Sequence, residues 1–286
     1  MRIPSLRTLA IGLACTLLAP AVLWSTGLSI DLFASDVLRD ATGRLSSFGG
    51  KTEVPCPAQD NRTAVLLLIG QSNAANHAQR RMVSRHEEKV INYFDGRCYV
   101  AGSPLLGSSG TRGEPWTELG NKLIESGAAD QVVLVPVAVG GSPISDWRAG
   151  GYLNRAMIST VKQLNAHFRI TQVLWHQGES DFGAGTRRTS YIRSFESMLG
   201  SLRNNGVSAP VYVSITSRCG RQPPAWTPVN EVAVAQYLLP DAAKGIFPGV
   251  NTDAFGRIDR LGDDCHWSAH GQIRFAESWI ERLAAR

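Results

Sequence analysis

The chain has no internal repeat and no low-complexity tract, which excludes repeat arrays and fibrous architectures. It lacks any CxxC pair and any HExxH stretch, so neither a thiolate zinc cluster nor a zincin helix is signalled. It also lacks a clustered basic stripe. The 29 Lys and Arg stand against 24 Asp and Glu, a net charge of +5, and are scattered along 286 residues. A nucleic-acid partner is therefore not expected. Charged residues are only 19% of the chain and hydrophobic ones 43%, a composition that fits one large globular domain.

What is present begins with a distinct leader. Arg2 and Arg7 precede an uncharged run from Thr8 to Ile30, the layout of a charged n-region followed by an apolar one. Ala19-Pro20-Ala21 resembles a cleavage site, yet the run also has the roughly 20 apolar residues that span a bilayer. Residues 1–30 thus read as a removable signal peptide or as a membrane anchor through residues 8–30, and both readings stay open. Either one puts the remainder outside the cytoplasm, periplasmic or secreted.

Cysteine usage agrees with export. Outside the leader stand Cys56, Cys98, Cys219 and Cys265, an even number that fits two disulfides. Four cysteines allow three connectivities, and sequence alone does not choose among them. Proximity in the chain favours Cys56 with Cys98 and Cys219 with Cys265.

Residues 31–61 hold Gly43, Ser46, Ser47, Gly49, Gly50 and Pro55 and read as a linker; the folded domain is expected over 62–286. Short apolar runs at 64–69, 131–139, 172–175 and 211–215 read as buried parallel strands. Between and after them, 116–124, 153–168, 191–202 and 273–283 carry helical spacing. Strand and helix alternate, which indicates an α/β fold with a mainly parallel sheet and helices on both faces. In such folds sites gather at the carboxyl ends of strands.

Four polar clusters fall where that rule asks for them. Gly70-Gln71-Ser72-Asn73 follows the first strand and offers a serine on a sharp turn, a nucleophile's position. For an isolated Gly-x-Ser-Asn, an ordinary capped turn is the commoner meaning, and the Gly-x-Ser-x-Gly elbow is absent because Ala74 stands at its second glycine. Val139-Gly140-Gly141-Ser142 follows the second strand, and its glycines allow the backbone N–H groups to approach an oxyanion. Trp175-His176-Gln177-Gly178-Glu179-Ser180-Asp181 follows the third, where the Gln177 amide offers a further donor. Asp263-Asp264-Cys265-His266 lies near the carboxyl end. There an Asp three residues before a His can fix its tautomer and leave Nε2 free to take a proton. His266 and His270 at i, i+4, with Asp263 or Glu179, form the competing metal reading, and no third ligand is indicated. Asn73, Glu179 and Trp147 are the candidate substrate contacts; for Trp147, as for Trp116 and Trp175, core packing is the competing role.

Together the order GQSN, GGS, WHQGESD and DDCH resembles the sialate O-acetylesterase-like and carbohydrate esterase family 6 branch of the SGNH hydrolases, over roughly Thr63 to the carboxyl terminus. The resemblance implies a three-layer, flavodoxin-like α/β/α sandwich and removal of O-acetyl groups from a carbohydrate, with no metal or organic cofactor. It puts the nucleophile on Ser72, the acid on Asp263 and the base on His266. The oxyanion donors would be Ser72, Gly140 or Gly141, and Gln177. Other acyl-ester hydrolysis, acetyl transfer, or a non-catalytic polysaccharide-binding role on the same scaffold are the alternatives. The sequence does not identify the sugar or the oligomeric state.

Overall fold

The structure, a computed structural model, describes residues 37–220 and 230–284. The leader expected over 1–30 lies outside them. Ten strands occur: β1 (Val37–Arg39), β2 (Leu45–Phe48), β3 (Glu53–Val54), β4 (Thr63–Gly70), β5 (Val90–Phe94), β6 (Arg97–Val100), β7 (Gln131–Ala138), β8 (Gln172–His176), β9 (Val211–Ile215) and β10 (Ile246–Asn251). Six α-helices accompany them: α1 (Trp116–Glu125), α2 (Tyr152–Leu164), α3 (Glu179–Gly183), α4 (Arg188–Asn204), α5 (Glu231–Leu238) and α6 (Ala269–Ala284). The eight-stranded sheet has the order β10-β9-β8-β4-β7-β5-β6-β3. Its first six strands run parallel, and β6 and β3 close one edge antiparallel.

β4 shows why this is a sandwich. Leu66, Leu67 and Leu68 are each fully buried, so the strand is apolar on both faces. Val65, Leu67 and Ile69 join the core that also holds Leu153 and Met157 of α2 and Phe195 and Met198 of α4. Leu66 and Leu68 point the other way, into the core with Trp116 and Leu119 of α1 and Phe275 and Trp279 of α6. Each such side chain contributes about 1.5–3 kcal/mol by burial. The three-layer α/β/α reading is thus realised in the packing.

The sheet reverses its winding at β4. β7 follows β5 and pairs with one side of β4, and β8, the next strand in sequence, pairs with the other. This switch point opens a crevice at the carboxyl ends of the strands, where open α/β sheets hold their ligands. β4 ends there at Gly70. A Cβ at Gly70 would lie 2.0 Å from the His176 carbonyl oxygen and 2.9 Å from the Ala74 Cβ, so only glycine lets β4, β8 and the following turn meet.

Residues 37–61 correct the linker expectation. β1 and β2 pair as an antiparallel hairpin, and β3 is the outermost strand of the main sheet. The Gly and Ser content that suggests a linker instead serves turns: Gly43 and Gly50 both have positive φ, +82° and +78°. The Cys56–Cys98 disulfide fastens this segment to β6. The second disulfide joins Cys219 to Cys265. Both pairings are those favoured by chain proximity. Two disulfides fit an oxidising, extracytoplasmic compartment. Among the described residues no helix is long and apolar enough to cross a membrane.

Candidate active site

Ser72 opens a single 3-10 turn, Ser72–Ala74, rather than a full helix. Three residues align few peptide dipoles, so the turn itself adds little field at Ser72. Hydrogen bonds fix the turn: Ala74 N–H donates to Gln71 O at 2.9 Å and Ala75 N–H to Ser72 O at 3.0 Å. The Trp116 indole donates to Ala74 O at 2.7 Å, pinning the turn to α1. Ser72 itself retains 7% exposure.

The loop carrying His266 comes from the far end of the chain. Asp263 Oδ2 lies 2.7 Å from His266 Nδ1, and Asp263 Oδ1 accepts the N–H groups of Cys265 and His266 at 2.9 and 3.1 Å. Burial raises the Asp263 carboxyl, but these hydrogen bonds outweigh it and hold the group below its usual range. Asp264 plays no such part; it occupies the left-handed region at φ 56°, and its N–H closes the turn on Leu261 O.

Asn73 joins the two segments. Its Nδ2 donates to Cys265 O at 3.2 Å, and its carbonyl accepts from the Trp267 indole at 3.0 Å. The residue after Ser72 thus holds the residues on both sides of His266. No hydrogen bond joins Ser72 Oγ to His266 Nε2 in this structure. Catalytic hydrogen bonds are often long before a substrate is bound.

Three expected substrate contacts turn out to be buried supports. Asn73 Nδ2 donates to Glu179 Oε1 at 2.8 Å, and the two side chains lie under the turn, with exposures of 1% and 4% for the residues. Burial pushes the Glu179 carboxyl up, against the Asn73 bond that pulls it down. Trp147 is fully buried, packs edge-on against Trp175 at 5.7 Å and donates to Ser142 Oγ at 3.1 Å. Core packing is its role, because its apolar face is already covered.

The Gln177 side chain is also turned inward. Its Nε2 approaches three acceptors, Asp181 Oδ2 at 2.5 Å, Ser142 O at 3.0 Å and Gln71 Oε1 at 3.4 Å, while its Oε1 accepts from the Tyr191 hydroxyl at 3.0 Å. An amide nitrogen has two protons, so none is left over for a ligand. Beyond β7 the Gly140 N–H is likewise taken, donating to Ser109 Oγ at 2.8 Å, and Gly141 has φ +73°. His270 Nδ1 lies 2.8 Å from Asp259 Oδ1. Among the described residues no group of three or more metal-ligating side chains forms.

His77 escaped the sequence reading. Its ring stacks on that of His266, centroids 5.6 Å apart at 22°, and its Nε2 lies 3.2 Å from Ser109 Oγ. Burial first, then the charges of His266, Arg112 and Arg39, push its pKa down to about 4. Nothing in the sequence around His77 marks it, because its partners are 32 and 189 residues away.

A mainly parallel sheet with helices on both faces and polar turns gathered at its switch point is the architecture of the SGNH hydrolases. Solved structures share this fold. A protein from Arabidopsis thaliana is 19% identical and superposes with a TM-score of 0.62, over 79% of this chain and 98% of that one. NanS is 17% identical, TM-score 0.52, over 79% and 99%. The psychrotrophic esterase EstA from Pseudoalteromonas sp. is 14% identical, TM-score 0.50, over 79% and 100%. No curated protein sequence matches the chain. The family described as "carbohydrate esterase, sialic acid-specific acetylesterase" matches residues 62–285, and the chain belongs to it. It is accordingly a carboxylic ester hydrolase that removes O-acetyl groups from sugars.

Proposed function

We propose that Ser72, His266 and Asp263 carry out the deacetylation through an acetyl-serine intermediate on a glycan or sialic-acid-like sugar. The observation that supports this is a pair of hydrogen bonds, Asn73 Nδ2 to Cys265 O and the Trp267 indole to Asn73 O, which tie the residue after Ser72 to both neighbours of His266 across 192 and 194 positions of chain. Ser72 Oγ attacks the acetyl carbonyl carbon while His266 Nε2 takes its proton, and Asp263 stabilises the imidazolium that forms. The N–H groups of Ser72 and Gly141 receive the oxyanion, since the one Gly140 N–H is already donated to Ser109 Oγ. His266 returns the proton to the departing sugar oxygen. Water, deprotonated by the same imidazole, then attacks acetyl-Ser72 and acetate leaves. Gln177 serves this chemistry as a positioning residue, holding Ser142 O and with it the Gly140–Ser142 turn.

The test is acetate release from a small acetyl ester and from acetylated sugars by wild type and Ser72→Ala. A fall in kcat on the order of 10⁴-fold or more is expected, with the melting temperature kept. Undiminished turnover in the variant removes Ser72 from the reaction. The enzyme acts in the periplasm or after secretion, delivered by residues 8–30; N-terminal sequencing of the exported protein distinguishes a cleaved leader from a retained anchor.

A further inference from the structure

Beside the site lies a series of cations without carboxylate partners among the described residues: Arg39, Arg112, Arg81 and Lys51. By contrast Arg44, Arg62, Arg85 and Arg97 are each matched with an Asp or Glu. Arg112 is tied to the reaction centre through the backbone, its N–H donating to Asn76 O at 2.9 Å, next to His77. Arg112 and Arg39 are close enough for their charge to weigh on His77, which stacks on His266. Neither Arg112 nor Arg39 lines the cleft that Arg81 and Lys51 share. Arg81 is reached through the chain neighbour of Arg112, since its Nη2 donates to Thr111 O at 2.8 Å.

Arg81 and Lys51 share a cleft of about 340 Å³, walled by Phe48 and Ser103. The Lys51 ammonium bonds Gly102 O, and burial lowers its pKa to about 8. Glu114 opposes that shift and Arg81 adds to it. The Glu114 oxygens accept from Ser103 Oγ, the N–H groups of Trp116 and Thr117, and Thr117 Oγ1, which fixes the carboxylate in place. One carboxylate stands against two cations, so the cleft keeps a net positive charge that an anion from outside balances.

We propose that this series is a track for an acidic oligosaccharide, with Arg112 and Arg39 facing the carboxylate of the unit being deacetylated and Arg81 and Lys51 binding a carboxylate further along the same chain. The proposal rests on the sugar-ester reading above and deepens it: the substrate is a polymeric acidic glycan rather than a single sugar. Two separated cation pairs need two separated anions, which one monosaccharide does not carry.

Calorimetry on the Ser72→Ala protein, with galacturonate and its hexamer as probes, separates binding from turnover. The hexamer is expected to bind at least tenfold more tightly than the monomer, with the advantage shrinking as salt rises. Adding Lys51→Gln and Arg81→Gln should erase that advantage and leave the monomer's affinity unchanged; Gln at 51 can still donate to Gly102 O. Arg112→Gln, at an exposed position, should weaken both probes about fivefold. Melting temperatures exclude misfolding. Equal affinity for monomer and hexamer, or a hexamer advantage that survives the double variant, overturns the track. So does equal weakening by the double variant of binding to duplex DNA or to phosphatidylglycerol vesicles, which makes it a general cation patch. Failure of the catalytic reading shows separately, as small-ester hydrolysis that survives Ser72→Ala.

Discussion

The two halves of the site are held in opposite ways. The half around Ser72, the proposed nucleophile, is built into the sheet: Gln71 N–H bonds His176 O, Asn73 bonds Glu179, Gln177 bonds Asp181, and all of these side chains are buried. The base half is an irregular loop, with 26% side-chain exposure at His266 and 45% at Asp263. It depends on short-range bonds, on Arg260 Nη1 donating to Cys265 O at 2.6 Å, and on the Cys219–Cys265 bridge. The difference teaches where precision comes from. Strand pairing and buried polar bonds fix a nucleophile without help, whereas an exposed imidazole needs a local carboxylate and a covalent tether.

The sharpest way to break this comparison is Asp263→Asn. It should cut kcat by about 10²–10⁴-fold by losing the tautomer and the imidazolium's counter-charge, while the melting temperature moves little because the position is exposed. A large stability loss with intact turnover would make the base loop structural. Next in size is the tether. Loop closure over the 46-residue separation of Cys219 and Cys265 is worth about 4 kcal/mol, so Cys219→Ala should lower the unfolding free energy by up to that amount. Activity should fall with it under native conditions; retained activity with an unchanged melting temperature refutes the tether.

On the buried half, Glu179→Ala should cost about 2–3 kcal/mol by orphaning the Asn73 amide, measured by denaturant unfolding. Glu179→Gln should cost less than about 1 kcal/mol, since burial already disfavours the charged form. His176 gives the buried half a pH signature. Both ring nitrogens are buried without a protein partner, and burial lowers the group to about 3. The unfolded chain takes up this proton near pH 6.5 and the folded one does not. The stabilisation is thus complete above about pH 6.5 and is lost as pH falls towards 3. Between pH 6.5 and 4.5 that amounts to roughly 2–3 kcal/mol, on 1.36 kcal/mol per pH unit. His176→Phe should flatten that slope in acid unfolding; an unchanged slope assigns the acid lability elsewhere. The smallest effect is expected from His77→Gln, a fewfold change in kcat at pH 7, because its ring touches His266 without bonding it.

Much of this protein was legible before any coordinates. The apolar runs at 64–69, 131–139, 172–175 and 211–215 are all strands, since a strand buried on both faces must be apolar throughout. The four helical stretches became α1, α2, α4 and α6, because their amphipathic spacing is local information. Asp263 and His266 are three apart, so their hydrogen bond could be read from spacing alone. β3, β5, β6 and β10 escaped, because β3 and β6 are short, Asn92 breaks the apolar run of β5 and Pro248 and Gly249 interrupt β10, and the hairpin before them looked like linker because turns and linkers share Gly and Ser.

What the linear order could not contain is direction. Gln177 occupies a motif that invites an oxyanion role, yet Asp181, Ser142 and Tyr191 draw its amide into the interior. Asn73, Glu179 and Trp147 sit in or near motifs and still face inward. Conversely His77 meets His266 and Ser109 only because the fold brings separate loops together. Residue spacing determined the strands, the helices and the Asp–His pair, since each depends on neighbours a few positions away. Which polar groups face a substrate was decided by tertiary packing alone, because burial and hydrogen-bond partners come from residues tens to hundreds of positions distant.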